Sequence, residues 1–240
     1  MRTFSVTDIG LKRTINQDYV YCNENKIGNL PCLFVVADGM GGHRAGDKAS
    51  RVCVDVMCET VSNSEFKTPV SILKEAVLAS HKRIIELSES DVEYEGMGTT
   101  LVAATIVDDT LYVVNVGDSR LYLLRDSLSQ ITEDHSLVEE MVKSGELAKE
   151  YARIHPNKNI ITRALGIGST INPDFFELKI GSGDIILMCS DGLTNMVEDA
   201  EIEYIIKRER ADLNQAGMTL LNRANDAGGK DNITVLLAEV

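Results

Sequence analysis

The chain is organised around the stretch Val35-Val36-Ala37-Asp38-Gly39-Met40-Gly41-Gly42-His43. The apolar run 32–37 is rich in β-branched residues and too short for a helix, so it predicts a buried strand that ends abruptly at Asp38. Such a strand would deliver a carboxylate to the edge of a sheet. The glycines after Asp38 would let the backbone turn and approach a ligand closely. Considered alone, the pattern is more typical of a strand that ends in an ordinary Asp-Gly turn.

The pairing of a strand with an aspartate recurs three more times along the chain. The apolar run 185–189 leads to Asp191-Gly192, the run 111–116 leads to Gly117-Asp118, and Asp231-Asn232 precedes the run 233–237. If the strand after Asp231 runs antiparallel to one that ends in aspartate, all four carboxylates can meet at one sheet edge. Carboxylates that close repel one another, and a bound cation is the usual compensation. The sequence therefore predicts metal binding through oxygen ligands.

Composition indicates a globular protein with an acidic surface. Hydrophobic residues make up 44% of the 240 positions and charged residues 25%, and no Pro/Ser-rich linker divides the chain, so we expect a single domain over residues 1–240. The formal net charge of −13 and the absence of a Lys/Arg-rich tract argue against nucleic acid and anionic membranes as partners. No apolar run approaches the roughly 20 residues that span a bilayer. These features favour a cytoplasmic location.

The five cysteines favour a reducing compartment. They are odd in number, lack a Cys-x-x-Cys spacing and lie mostly in apolar stretches, so we interpret them as small buried hydrophobic residues.

Hydrophobic periodicity predicts the order of the remaining elements. Helices are expected over about 46–61 and 68–87, the second with Thr68 as N-cap and Pro69 at its first position. The acidic stretch 86–95 is interpreted as a solvated loop. The other predicted elements are edge strand 2–8, strands 19–22, 101–107, 111–116, 119–125, 174–180 and 185–189, helices 198–209 and 212–226, and a last strand at 233–237. This order favours an α+β fold in which two antiparallel sheets form a sandwich with paired helices outside.

An insert interrupts the pattern between the meander of strands and residue 174. Asp134-His135-Ser136 is typical of a helix N-cap, and a short amphipathic helix is expected directly after it. The segment 145–161 has little regular periodicity, and long irregular inserts of this kind are often functional lids. His135 and His155 are each compatible with a role in a site, and equally with capping or a turn.

Eight short motifs, in this order along the chain, resemble those of the metal-dependent serine/threonine protein phosphatases of type 2C, in their compact bacterial form. The motifs are Arg13-x-x-Asn16-x-Asp18, Asp38-Gly39-Met40-Gly41-Gly42, Gly98-Thr99-Thr100, Gly117-Asp118-Ser119-Arg120, Asp134-His135-Ser136, Arg163-Ala164-Leu165-Gly166, Ser190-Asp191-Gly192 and Gly229-x-Asp231-Asn232. Each one is weak alone, whereas the whole series, which spans nearly the full chain, is very specific. The resemblance implies a four-layer αββα sandwich with the metal centre in a cleft at one end.

The resemblance also implies a role for individual residues. By position, the resemblance implies that Asp38 bridges two divalent ions and that Gly39 offers a backbone carbonyl to one of them. It implies that Asp191 and Asp231 bind the other ion and that Asp118 shares a third, weaker site with Asp191. It also implies that Asp18 orients a metal-bound water, that Arg13 clamps phosphate, and that the insert 136–162 is a flap beside the cleft. The chain departs from some members at Met40, where they carry a histidine proposed as general acid. A thioether cannot donate a proton, so another group must protonate the leaving group.

The implied activity is hydrolysis of phosphoserine and phosphothreonine monoesters by in-line attack of a water activated by two ions. Ligation by oxygen alone, without His or Cys, favours Mn²⁺ or Mg²⁺ over zinc. A guanidinium fork at Arg13 suits two phosphate oxygens. The expected partners are phosphoproteins that a bacterial serine/threonine kinase modifies, by analogy with the family, and the protein is expected to be a monomer.

Two other interpretations compete with this one. The first is a metal-stabilised regulator that resembles a phosphatase and has no turnover; the chain retains all the metal carboxylates that such relatives are expected to lack. The second is a different hydrolase, either a nuclease or a phosphohydrolase of small molecules. The lack of a basic groove signature argues against a nuclease, and a phosphopeptide assay would test the phosphohydrolase of small molecules. A manganese-dependent hydrolysis assay would separate the regulator from an enzyme.

Overall fold

The computed structural model describes residues 1–42 and 45–240; His43, at the end of the opening stretch, lies outside them. The strands are β1 Arg2–Asp8, β2 Asp18–Asn23, β3 Leu33–Met40, β4 Gly98–Thr99, β5 Leu101–Val107, β6 Thr110–Val116, β7 Arg120–Leu124, β8 Leu128–Gln130, β9 Asp174–Lys179, β10 Ile185–Cys189 and β11 Ile233–Glu239. The helices are α1 Ala45–Asn63, α2 Pro69–Ser90, α3 Leu137–Lys143, α4 Lys149–Ala152, α5 Asp191–Thr194, α6 Asp199–Arg208 and α7 Leu213–Asp226, with a 3-10 turn at Val92–Tyr94.

The strands form two antiparallel sheets. One has the order β1-β11-β10-β7-β8, and the other has the order β2-β3-β5-β6-β9, with β4 paired to the end of β3. Helices α1 and α2 cover the outer face of the second sheet, and α6 and α7 cover the outer face of the first. A third apolar cluster, built from both sheets, lies between them. The predicted α+β class, with four layers in the order αββα, is confirmed.

Strand β3 shows why its sequence is a continuous apolar run. Phe34 and Val36 point into the layer between the sheets, whereas Val35 and Ala37 pack against the helices outside. Successive side chains of a strand face opposite sides, so a strand buried on both sides needs apolar residues at every position. This burial fixes the register of β3 and hence the place where Asp38 emerges.

The predicted helices are confirmed with small changes of boundary. Thr68 caps α2 by accepting a hydrogen bond from the Ser71 N–H at 3.4 Å, and Pro69 is the first helical residue. Ser136 likewise caps α3 by accepting from the Glu139 N–H at 3.3 Å. Across the described ranges, none of the helices has the length and apolarity that crossing a membrane requires.

Two predictions of local structure are wrong. Strand β3 does not end at Asp38, because Gly39 and Met40 continue it by pairing with Thr99 and Gly98 of β4. The stretch 86–95 is not all loop: α2 runs to Ser90 and a 3-10 turn follows. Its acidic residues face solvent, where a charge is compatible with helix, so the run of charge did not indicate the end of the helix.

Four short elements were not predicted: β4, β8, α4 and α5. They contain two to four residues each. Hydrophobic periodicity needs a longer window than that to be visible.

Candidate metal centre

The predicted aspartates lie at one end of the sandwich, which we call the cleft end. Asp18 begins β2 directly opposite Asp38 on β3. Strand β10 ends just before Asp191 and the antiparallel strand β11 begins just after Asp231, so both residues lie at the same edge of their sheet. Asp118 follows the end of β6, which pairs with β5 beside β3. The antiparallel arrangement that convergence requires is therefore present.

Asp18 joins the two sheets at this end. Its Oδ2 accepts hydrogen bonds from Ser190 Oγ at 2.6 Å and from Thr234 Oγ1 at 2.7 Å, although both hydroxyls belong to the other sheet and its loops. Asp18 is only 3% exposed. We call Asp18, Asp38, Asp118, Asp191 and Asp231 the aspartate cluster.

Members of the aspartate cluster repel one another. Burial raises the pKa of Asp18 to about 7 and that of Asp191 to about 6, and in both cases repulsion from Asp231 adds to the effect. Burial also raises the pKa of Asp38 well above its usual value, and the four other members of the cluster raise it further. The pKa of Asp118 is raised by burial first and then by Asp191. At neutral pH the cluster is therefore short of positive charge.

A hard cation fits this donor set. Among the described residues, Asp18 Oδ1 and Asp191 Oδ1 are buried without a hydrogen-bond partner, which is costly for a carboxylate oxygen. Oxygen ligands of this kind suit Mg²⁺ and Mn²⁺. Within ranges 1–42 and 45–240, no three His, Cys, Asp or Glu side chains already form a metal site. Because like charges repel, a cation is needed to draw the carboxylates together to ligating distance.

The backbone on either side of Asp38 is fixed by two threonines. The Asp38 N–H donates to Thr100 Oγ1 at 3.0 Å, and the Asp38 carbonyl accepts from Thr99 Oγ1 at 2.9 Å and from the Thr100 N–H at 2.8 Å. Gly39 follows in a space that only glycine fits, since a Cβ there would lie 2.0 Å from the Gly46 carbonyl oxygen. The Gly98-Thr99-Thr100 motif therefore fixes the backbone of Asp38, the residue to which the resemblance gives the bridging role.

Asn232 connects the loop of Arg13 to Asp231. Asn232 Oδ1 accepts from the Gln17 N–H at 2.8 Å, and its Nδ2 donates to the carbonyls of Ile9 and Ile15 at 3.0 Å. Arg13 Nη2 then donates to Asp231 Oδ2 at 2.7 Å, with the arginine side chain 46% exposed. Arg13 thus stands at the rim of the aspartate cluster, with part of its guanidinium open to solvent.

The insert 136–162 is linked to the aspartate cluster through Asn195, which bonds both to Lys158 of the insert and to Asp191. Lys158 Nζ donates to Asn195 Oδ1 at 2.8 Å, and Asn195 Nδ2 donates to Asp191 Oδ2 at 2.8 Å. Burial lowers the pKa of Lys158, and the neighbouring cations Arg153 and Lys230 lower it further. Asp191 acts on the pKa of Lys158 in the opposite direction and raises it, so the insert interacts electrostatically with Asp191.

The two histidines that the sequence left open have different environments. His155 Nδ1 accepts a hydrogen bond from the Asn157 N–H at 3.2 Å within its own turn, as the turn interpretation predicted. His135 is 3% exposed and bonds to Gly117 and Asp174, so it is buried against the peptide that precedes Asp118.

Sequence reasoning gave no role to several side chains that hold the cluster. Thr100, Ser190, Asn195 and Thr234 all bond to one of its aspartates. The available signals were weak: Ser190 precedes Asp191, and Asn195 follows it by four residues, which is one helical turn.

Comparison with known proteins gives a consistent result. The family model described as protein phosphatase 2C matches residues 12–238. A serine/threonine phosphatase of Listeria monocytogenes is 45% identical over 238 residues, which cover 97% of this chain and 93% of that protein. The serine/threonine phosphatase of S. agalactiae superposes with a TM-score of 0.91 at 40% identity, covering 100% of this chain and 99% of the other.

One further structure was solved with metal. The catalytic domain of the serine/threonine protein phosphatase PstP, in complex with two manganese ions, has a TM-score of 0.87 at 34% identity and covers 99% of this chain and 97% of its own.

Proposed function

The chain belongs to the protein phosphatase 2C family, and on that premise we propose that the aspartate cluster is the metal centre of its phosphatase reaction. As a member of this family the protein is a metal-dependent serine/threonine protein phosphatase, and its substrates are phosphoproteins. The observation that carries the proposed site is the meeting of five carboxylates from both sheets at one end of the sandwich, where burial and repulsion by neighbouring aspartates raise the pKa of Asp18, Asp38, Asp118 and Asp191.

Each member of the cluster receives a role from its position. We assign Asp38 as the carboxylate that bridges two ions, with the Gly39 carbonyl as a further ligand of one of them. Asp191 and Asp231 would hold the second ion, since they flank paired strand ends. Asp118, which lies within electrostatic reach of Asp191, would share a third and weaker ion with it. The ions would be Mn²⁺ or Mg²⁺ because every donor is oxygen.

The protein's own groups orient the substrate and the attacking water. Two divalent ions, when bound, lower the pKa of water and neutralise charge on phosphate. Asp18, fixed by Ser190 and Thr234, would orient a water molecule through Oδ1, which has no hydrogen-bond partner within the described part of the chain. Arg13 lies at the rim, where its fork can meet two oxygens of a phosphomonoester. Met40 cannot donate a proton, so leaving-group protonation falls to water or another group.

Several finer features are part of the same proposal. Residues 1–240 would form one catalytic domain, with residues 136–162 as its flap. The protein would act as a monomer on cytoplasmic phosphoproteins that a bacterial serine/threonine kinase modifies. The acidic charge of −13 supports a protein substrate over a nucleic acid.

A metal titration with a phosphopeptide substrate tests the site. The protein is treated with a chelator, Mn²⁺ or Mg²⁺ is added back, and hydrolysis of a phosphothreonine peptide is measured beside metal uptake by calorimetry. We expect uptake and hydrolysis to be lost together in Asp231→Asn and retained in Asp184→Asn, which alters a carboxylate at the other end of strand β10. Metal uptake without hydrolysis by the wild-type protein would instead support a regulator, and unchanged uptake by Asp231→Asn would exclude the assigned ligand.

A further inference from the structure

The peptide groups on both sides of Gly117 are held by one residue, His135. The Gly117 N–H donates to His135 Nδ1 at 3.0 Å, and the His135 N–H donates to the Gly117 carbonyl at 3.0 Å. Gly117 has a φ of +105°, and a Cβ there would lie 2.6 Å from the side chain of Thr100. Only glycine fits these restraints, and the residue that follows it is Asp118.

The hydrogen bonds define the tautomer of His135. A backbone N–H can only donate, so Nδ1 must be the unprotonated nitrogen, and Nε2 carries the hydrogen of a neutral ring. Nε2 then donates to Asp174 Oδ2 at 3.0 Å, while Arg163 Nη1 donates to Asp174 Oδ1 at 3.0 Å. Asp174 thereby fixes the orientation of the ring. A protonated imidazole would lose the bond to Gly117, so this geometry requires the neutral form.

His135 also stands where the two ends of the flap meet. Its carbonyl accepts from the Thr162 N–H at 2.8 Å, Ser136 forms a β-bridge with Ile161, and the Leu137 N–H donates to the Ile160 carbonyl at 2.8 Å. Arg163, which supports Asp174, follows the flap directly. One residue therefore contacts the peptide before Asp118, the base of the flap and the Asp174–Arg163 pair.

We propose that His135 is the positioning residue for Asp118: it holds the Gly117 peptide from both sides and ties it to the base of the flap. The proposal rests on the proposed function of Asp118 as a ligand of the weaker ion. The peptide that leads into Asp118 is thereby fixed in orientation, which lowers the cost of ordering Asp118 around an ion. A displacement of the flap base would reach Asp118 through His135, so flap position and the third ion would be coupled.

Two substitutions of His135 separate positioning from simple packing. His135→Asn places Oδ1 near the position of Nδ1, so it can still accept from the Gly117 N–H. His135→Leu fills a similar volume without an acceptor. Asp174→Ala is the third variant; it keeps the imidazole in place but removes the group that orients it, and Asp174 is partly exposed, so folding is not at risk.

Two readouts are measured on each variant. The first is hydrogen exchange of the Gly117 amide in chelator-treated protein; we expect exchange about tenfold faster in His135→Leu, for the loss of one buried hydrogen bond, and close to wild type in His135→Asn. The second is Mn²⁺ binding by calorimetry. We expect the weaker binding event to lose about 10- to 100-fold in affinity in His135→Leu, with the tighter events unchanged. Asp174→Ala should show the same pattern with smaller changes.

The outcomes that overturn the proposal are distinct from those that overturn the metal site. Wild-type Gly117 exchange in His135→Leu, or equal weakening of all Mn²⁺ events, would show that His135 only packs the fold. If His135→Leu does not fold, Asp174→Ala decides, and an unchanged weaker event in that variant contradicts the proposal. If Asp118→Asn keeps the weaker event, the assigned third site is wrong and His135 does not position a metal ligand, even if the Gly117 exchange result confirms the contact.

Discussion

Strand β10 has an aspartate next to each of its ends, and the surroundings of these two aspartates shift their pKa values in opposite directions. At its start, Asp184 accepts from Arg125 Nη2 at 2.6 Å and from the Gly181 N–H at 2.9 Å, and the Arg125 bond holds the pKa of Asp184 below its usual value. Just beyond its other end, burial and the neighbouring Asp231 raise the pKa of Asp191 to about 6. The charge of Asp184 is compensated by Arg125, whereas the charge of Asp191 is opposed by burial and by Asp231.

The contrast extends to the whole sandwich. At the end opposite the cleft, carboxylates meet cations: Arg2 Nε donates to Glu239 Oε2 at 2.8 Å, and Lys179 Nζ donates to Asp109 Oδ1 at 2.6 Å. At the cleft end, Arg13 pairs with Asp231, whereas among the described residues no ion pair joins a cation to the other four members of the aspartate cluster, and their charges face one another. Repulsion of this kind opposes folding. Its location where several strand ends converge indicates a binding site for a ligand of positive charge. The charges at one end therefore favour the folded state, whereas those at the other end oppose it unless a ligand compensates them.

The largest expected effect is loss of activity when Asp38, the proposed bridging carboxylate, is replaced by its neutral amide. Asp38→Asn should reduce Mn²⁺-dependent hydrolysis of p-nitrophenyl phosphate more than about 100-fold, since a first ligand matters more than the groups that support it. The fold should be retained, because Asp38 stands at a sheet end and not in an apolar core. Activity is measured beside circular dichroism, with Asp184→Asn as the matched control. Turnover within tenfold of wild type in Asp38→Asn would remove Asp38 from the metal centre.

The order of the longer strands along the chain and the four aspartates near their ends could be predicted from the sequence. Buried strands such as β3 and β10 contain continuous apolar runs that lead to an Asp-Gly pair, and antiparallel pairing brings the ends of neighbouring strands together. The family resemblance added Asp18 and Arg13, which local pattern alone would have left as a surface turn. Long elements and strong motifs carry this information because each depends on residues adjacent in the sequence.

What could not be predicted depends on contacts between distant parts of the chain. The extension of β3 to Met40 requires β4, which lies about 60 residues further on and is two residues long. Asp18 is held by Ser190 and Thr234, hydroxyls whose types are common and whose positions are set only by packing of the two sheets. The charged end of α2 was misread because solvent exposure is common to loops and to helix surfaces.

The second effect concerns substrate binding at the rim of the cleft. Arg13→Ala should raise the Michaelis constant for a phosphopeptide by about tenfold with a smaller change in kcat, because a charge-assisted hydrogen bond to phosphate is lost. Arg13→Lys keeps the charge without the planar guanidinium, so its Michaelis constant should lie between those of the wild type and Arg13→Ala. Steady-state kinetics at saturating Mn²⁺ measure both constants. An unchanged Michaelis constant in Arg13→Ala would contradict a role as phosphate clamp.

The third effect reverses the usual cost of mutation. In chelator at pH 8, Asp38→Asn should melt several degrees above wild type, since it removes one charge from a repelling cluster. Because the pKa of Asp38 is raised in the folded state, that state binds more protons than the unfolded chain above the unfolded value of 3.8, so the wild-type penalty grows as pH rises from 3.8 up to the raised pKa. The advantage of the variant should therefore shrink as pH falls from 8 toward 4. Thermal melts in this range measure it; a variant less stable than wild type at pH 8 would contradict repulsion.

The smallest effect is expected at the opposite end of β10. Asp184→Asn loses the carboxylate that Arg125 and Gly181 satisfy, so its melting temperature at pH 7 should fall by roughly 2 °C, while kcat/KM stays within about twofold of wild type. A lowered pKa gives stability that is present above the unfolded value and is lost as pH falls through the folded one, so the difference between the two proteins should shrink below pH 3.8. Melts at pH 7 and in the acid range measure the difference. Because chelated Asp38→Asn should gain stability where Asp184→Asn loses it, equal signs for the two substitutions would mean that the two ends of the sandwich do not differ in the way their charges are compensated.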